Sequence, residues 1–297
     1  MQHSKRYWAV KSHTMSWLII LPSVVLFGFF MWAPLLESIR MSFSEVRGAE
    51  YVRFLWFDNY ISVFNDPDFG FAMRNNLMYA FWSLVLGFVI PIIMAMLIGE
   101  AARGRSFLRT AAYFPNIMPG LAAIMLWQFF FTASKNGVLN SIVSAFGGEP
   151  KEWLTPELVI PVIIVIMTWK GAGATMLIYM AGLAGINPEL YEAATIDGAG
   201  VLRRIRHITL PALFNLANTL LILQVIAVFQ IMYEPMVLGR GVPEDSISLM
   251  QLVWKYAFQS SGFENGKAAA VSVLISVLLI VFTLLYRKLS TRSNDWS

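Results

Sequence analysis

At 297 residues, 57% of them hydrophobic and 13% charged, the chain falls well short of the charge of a soluble domain, about 25%, so water is not its main solvent. Its net charge of +4 is scattered over segment ends and forms no contiguous basic face, which excludes nucleic acid as a partner. It has no cysteine, which excludes disulfides, thiol catalysis and cysteine-based metal sites.

In hydrocarbon only helices and closed barrels satisfy their own backbone groups. A barrel needs alternating segments of roughly ten residues. The long unbroken apolar runs of this chain predict helices instead, each needing about 20 residues to cross. Lys5, Arg6 and Lys11 precede the first run, Trp17–Leu36. That run exceeds a signal-peptide core of about 7–15 residues and no A-x-A site follows, so it reads as a retained span behind a tail of residues 1–16. Residues 37–74 are of mixed polarity and rich in aromatics, and Asn65-Asp66-Pro67-Asp68 is a turn signal. Further spans are expected at about Leu77–Gly99, Thr110–Phe131, Leu158–Gly185, Ala212–Leu238 and Ala268–Tyr286. Residues 75–290 then form a core of five helices, with a second tail at 291–297.

Sidedness follows from Lys and Arg near the span ends. With the N-terminus inside, the inner segments carry Lys5, Arg6, Lys11, Arg103, Arg105, Arg109, Arg203, Arg204, Arg206, Arg287, Lys288 and Arg292 in short stretches. The remaining basic residues, apart from Lys170 inside a span, are spread over longer loops. This density predicts both termini, and the polar stretch 187–211, in the cytoplasm. Trp and Tyr near the span ends, such as Trp17, Trp32, Trp153 and Tyr286, suit an interfacial belt. Stacking on sugars would use the same residues.

The stretch Asn187–Pro211 (NPELYEAATIDGAGVLRRIRHITLP) opens as a helix start. Asn187 can cap the first turn, Pro188 is pre-set for the first helical position, and Glu189 favours the positive end. Gly198 can end that helix in a left-handed conformation. A second short basic helix, Leu202–His207, is expected before Pro211 opens the fifth span. Small residues permit close approach by a partner, and Glu192 offers a carboxylate suited to a bidentate arginine. Taken alone, these features equally describe an ordinary loop helix with a solvated glutamate.

The full spacing resembles the EAA signature of permease subunits of ABC-type importers. It reads Glu192-Ala193-Ala194, three residues, Gly198, nine residues, Ile208, one residue, Leu210-Pro211, with Asp197 and Ala199 completing a D-G-A core. Asp58-Asn59-Tyr60, Asp66, Phe69, Asn76-Leu77, Phe114-Pro115 and Pro119 are similar to the carbohydrate-uptake branch. Met236–Pro243 is similar to its Gly-Gly-Pro segment but departs from it at Arg240, Val242 and Ser246. The resemblance, over about residues 17–290, implies an all-α transmembrane fold, the six-helix type I importer permease (MetI-like) fold. It implies that Glu192, Ala193, Ala194, Asp197, Gly198 and Ala199 form a coupling helix docking on a cytoplasmic ABC ATPase. It further implies a second permease subunit and an extracellular solute-binding protein that delivers cargo. The chain itself would hold no cofactor, ATP and Mg²⁺ belonging to the partner ATPase.

Lys170 is the costliest intramembrane residue, roughly 18 and 23 Å from the ends of its expected span at 1.5 Å per residue. A lysine at that depth costs on the order of 2.5–3.5 kcal/mol on insertion scales. It reads either as part of a solute pathway or buried pair, with Glu234 as the partner, or as a group facing a wet subunit interface. Gly171 and Gly173 can let this helix bend or another approach. Gln230 and Glu234, four apart, are expected on one helical face with Tyr233 nearby. Asn116, Gln128 and Trp169 complete the pathway candidates. Together they suit an uncharged, hydroxyl-rich solute such as a carbohydrate; singly, each also serves to join helices. Pro115, Pro119 and Pro161 can kink their helices.

Gly262–Ala268 lacks the spacing and the Ser or Thr of a phosphate loop, and the three histidines have no zinc spacing. No catalytic constellation is visible, so an enzyme embedded in the membrane has no support. A stand-alone transporter driven by an ion gradient would need relay carboxylates, for which only Glu234 and Glu100 are available. Within the importer class, a cargo such as glycerol phosphate stays open, although an anion would want more than Lys170 in the pathway.

Overall fold

The computed structural model describes residues 2–47, 50–100, 103–239, 243–260 and 264–294. Among the described residues the chain is a set of apolar helices with one short pair of strands. Among the described residues, the helices long and apolar enough to cross a membrane are α1 (Met15–Ser42), α2 (Pro67–Glu100), α5 (Val159–Ala184), α7 (Val201–Phe229) and α9 (Asn265–Ser290). The others that matter below are α3 (Arg105–Ile117), α4 (Gly120–Phe130), α6 (Pro188–Ile196) and α8 (Tyr233–Leu238).

Several expected boundaries move, each for a local reason. The second span's helix begins at Pro67, well before Leu77, because Asp66 caps it: its carboxylate accepts from the Asp68 N–H at 2.9 Å and Pro67 takes the first turn. The third span is not one helix. It breaks between α3 and α4, where Met118 (φ −65°, ψ 136°) and Pro119 (φ −54°, ψ 135°) are extended. A proline forces the residue before it out of the helical region, so Pro119 ends α3 at Ile117. Pro115 and Pro161 lie within helices that continue past them. The fifth span ends at Phe229, and Met232 (φ −138°, ψ −50°) separates it from α8. The separate basic helix expected at Leu202–His207 does not exist: Val201–Arg204 runs through a π turn, Ile205–Thr209, straight into Leu210–Phe229.

The described chain falls into two compact units. One comprises residues 1–63 and 253–274. Within it β1 (Ser44–Arg47) pairs antiparallel with β2 (Glu50–Phe54), a hairpin absent from the sequence reading. Asn59 secures it from below, its amide donating to the carbonyls of Ser42 (3.0 Å) and Ser44 (2.9 Å). Phe43, Phe54, Phe57 and Tyr60 pack face and edge around it. Arg53, then Arg47, bond to the Glu45 carboxylate and hold its pKa below the ordinary glutamate value. α1 leaves its apolar side chains, such as Trp17, Phe29 and Phe30, exposed.

The other unit comprises residues 64–252 and 275–297. Its core lies where α2, α5 and α7 meet, around Tyr79, Ile163, Ile164 and Val228, with a second cluster around Ala95, Met176, Tyr179 and Leu213. α3 crosses α5 at Gly173 so closely that a Cβ there would collide with the Ala112 carbonyl and lie 2.7 Å from the Tyr113 Cα. Close backbone approach through a small residue is how helices associate where lipid removes the hydrophobic drive. Gly171, by contrast, faces open space. Polar residues near the start of α2 tie down the segment 244–249. Tyr79 donates to the Ser246 carbonyl (2.9 Å), Asn75 to that of Ile247 (3.2 Å), and the Asn76 carbonyl oxygen accepts from the Leu249 N–H (2.7 Å). Arg240, Val242 and Gly262, singled out in the sequence, lie outside the described residues.

Candidate functional site

The stretch 187–211 is a closed device. Asn187 caps α6, accepting from the Glu189 N–H at 3.1 Å, with Pro188 in the first turn. At the other end Gly198 has φ +73°, which an L side chain adopts only with strain. Its N–H bonds to the Thr195 carbonyl (3.1 Å) and that of Ala199 to the Ala194 carbonyl (2.8 Å). These two bonds form a Schellman end and satisfy carbonyls the helix leaves open. Glycine at 198 is therefore required by backbone conformation, since nothing crowds the position.

Two side-chain bonds then fasten α6 to α7. The Tyr191 hydroxyl meets the buried Thr209 hydroxyl at 2.9 Å, and Arg204 donates to Thr195 Oγ1 at 3.3 Å. Thr209 is the residue between Ile208 and Leu210-Pro211, so the first bond joins the two ends of the spaced pattern. Glu192, Ala193, Asp197 and Gly198 are exposed, and Ala194 and Ala199 half-buried. Ile196 (87%) and Leu202 (80%) lie largely in the open beside them.

The intramembrane candidates divide. Lys170 is half-buried near the middle of α5, its Nζ 3.9 Å from where a Gly120 Cβ would stand, at the start of α4. Trp169 meets Trp127 of α4 edge-on with centroids 5.4 Å apart. It also lines a mostly apolar cavity of about 330 Å³ with Leu86, Pro115 and Thr168. Asn116 is half-buried in the last turn of α3, two residues before the break. Gln128 is exposed and donates to the Val237 carbonyl on α8 at 3.4 Å. Tyr233 is exposed at the start of α8 and Glu234 half-buried beside it.

Two expectations fail. Gln230 and Glu234 do not share a helical face, because α7 ends before Gln230 and α8 starts after Met232. The break leaves carbonyls to satisfy, and Ser248 donates to that of Ile231 at 2.6 Å. Nor does Lys170 pair with Glu234: neither takes part in ion pairs such as Glu45–Arg47, Glu45–Arg53 and Glu264–Lys267.

The sequence model of the family described as "Binding-protein-dependent transport system inner membrane component" matches residues 63–294. This chain belongs to that family. Members are transport components, and a multi-pass membrane protein with the MetI-like fold is what the helices describe. The chain is 29% identical over 276 residues to the arabinooligosaccharides transport system permease protein AraP of Bacillus subtilis (strain 168), covering 92% of this chain and 88% of that protein. It is 30% identical over 286 residues to the trehalose/maltose transport system permease protein MalF of Thermococcus litoralis, covering 95% of each. Among solved structures, a chain of a bacterial ABC transporter that imports the acidic polysaccharide alginate matches with a TM-score of 0.85 at 26% identity. That match covers 97% of this chain and 99% of the other. A second structure of the bacterial alginate transporter, in complex with alginate pentasaccharide-bound periplasmic protein, matches with a TM-score of 0.84 at 26% identity, covering 96% and 97%.

The sequence of this member of the family gave Thr209, Thr195, Ile196 and Leu202 no role in fastening or docking. Their signals were present but weak: two hydroxyl residues inside the spaced pattern, and two apolar residues where a solvated loop would carry polar ones. Two polar residues of α7, Gln224 and Asn218, prove to be joints between helices. Gln224 donates to Ser83 of α2 at 3.1 Å; Asn218 donates to Ser290 of α9 at 2.9 Å and accepts from Tyr286 at 2.8 Å.

Proposed function

We propose that this chain is one permease subunit of an ATP-driven importer that carries a sugar or oligosaccharide across the cytoplasmic membrane. A second permease subunit completes the pathway, cytoplasmic ABC ATPases bind the 187–211 loops, and an extracellular solute-binding protein delivers cargo. Both termini lie in the cytoplasm in this reading. The first span and residues 37–74 precede a transporter core at 75–290, and ATP and Mg²⁺ are held by the ATPase.

The observation that carries the reading is the capped, exposed helix α6, fastened to a membrane helix. Glu192, Gly198, Ile196 and Leu202 present a carboxylate, a bare backbone and two apolar side chains to a docking partner. A pull on α6 reaches Thr209 and Arg204 through hydrogen bonds, and α7 continues from there without interruption to Phe229. A local movement of the loop thus becomes movement of a whole span. The carbohydrate cargo is supported by the relatives, whose names cover arabinooligosaccharides, trehalose and maltose, and lactose. The solved neighbours described above belong to alginate importers, so neutral and acidic carbohydrates both occur among similar proteins.

The test is reconstitution of the complete complex in liposomes, with each candidate solute presented by its binding protein. A carbohydrate is expected to stimulate ATP hydrolysis and to accumulate. Stimulation by non-carbohydrate solutes alone would refute the cargo; solute uptake without any ATPase subunit would refute the importer mechanism.

A further inference from the structure

The charge on Lys170 meets no counterpart among the described residues. Among the described residues no carboxylate pairs with it and no hydrogen bond satisfies it. It stands near the middle of a 26-residue helix in a protein that spans the membrane. An ionisable group at that depth faces a bundle interior or a wet cavity and finds a partner there. Its surroundings meet that condition. The ammonium lies against Gly120, the first residue after the extended segment Met118–Pro119. Irregular backbone at membrane depth persists only where protein covers it or water reaches it. Gly120 is exposed and bears no side chain, so the ammonium borders an open edge of the break. The adjoining Trp169 packs edge-on against Trp127, two turns further along α4.

Resting on the carbohydrate reading, we propose that Lys170 is a specificity-determining residue and that the cargo is an acidic oligosaccharide. A uronate carboxylate passes the break between α3 and α4 and is held there by the Lys170 ammonium. The missing counter-charge arrives with the cargo. A charge-assisted hydrogen bond of this kind separates acidic from neutral cargo by roughly ten- to a hundredfold. The neutral solute suggested by the amides Asn116, Gln128 and Gln230 is thereby replaced by one that carries both hydroxyls and charge.

The experiment uses the full complex in proteoliposomes. Its cargo is a panel of uronate oligosaccharides, each matched with its carboxyl-reduced, neutral form. Wild type and Lys170→Met and Lys170→Arg variants are compared for uptake, with size-exclusion chromatography of the complex as a check on assembly. The expected result is uptake of acidic members by wild type, a roughly ten- to a hundredfold loss in Lys170→Met, and retention of most uptake in Lys170→Arg. Any uptake of neutral forms should stay within about twofold, an effect too small for a lost charged contact. Acidic uptake unchanged in Lys170→Met, or uptake of neutral members alone, overturns the proposal and leaves the carbohydrate reading standing. If Lys170→Met dissociates the complex, or lowers both kinds of uptake alike, the lysine belongs to the joint between permeases and the proposal fails. If no carbohydrate moves at all, the cargo reading itself is what fails.

Discussion

The 187–211 loop and the mid-membrane residues around Lys170 are both polar interruptions of an apolar chain, but they are built in opposite ways. The loop is closed by short-range bonds: a cap at Asn187, a left-handed stop at Gly198, and fastenings within 18 residues. Its shape follows from which residues are neighbours in sequence. The mid-membrane set is assembled from a break at Pro119, an aromatic contact between α4 and α5, and a helix crossing at Gly173. The residues there come from α3, α4 and α5 and meet only through the way those helices pack. The loop can therefore act as a rigid handle. The mid-membrane region depends on how helices approach one another, and that is what a transporter alters during its cycle.

The largest expected effect tests the tertiary side of this contrast. A single methyl at Gly173 meets main-chain atoms of α3 that cannot yield, so Gly173→Ala should destabilise the complex by about 1–3 kcal/mol. Gly171→Ala, with open space around it, should stay within about 0.5 kcal/mol. Thermal unfolding of the purified complexes measures both, and equal behaviour of the two variants would dissolve the claimed close crossing. A smaller effect tests the loop. Tyr191→Phe removes one bond of about 1 kcal/mol, so the fold should survive while less solute moves per ATP hydrolysed. Unaltered stoichiometry would mean that the handle does not need this fastening.

The same contrast explains what could be read from the residues. The cap at Asn187, the stop at Gly198 and the exposure of Glu192 follow from local chemistry, and the structure has them where the sequence puts them. Pro119 was legible as a disturbance but not as a complete break, because only the extended pair Met118–Pro119 separates a kink from an interruption. The end of α7 was missed because Ile231 and Met232 are as apolar as a continuing span; Ser248, from elsewhere in the chain, satisfies the carbonyl released there. The pairing of Ser44–Arg47 with Glu50–Phe54 is held by Asn59, whose amide bonds to main-chain carbonyls that any residue would offer. Contacts of this kind leave no mark in periodicity.

The central claim is that α6 receives the work of ATP hydrolysis and passes it to α7. Glu192→Arg, in a fully assembled and membrane-inserted complex, tests it most directly, because Glu192 is exposed and takes no part in the bonds that close the loop. Uptake and ATPase binding are measured together. The account predicts normal membrane insertion with loss of both ATPase docking and uptake. Normal uptake by this variant would contradict it.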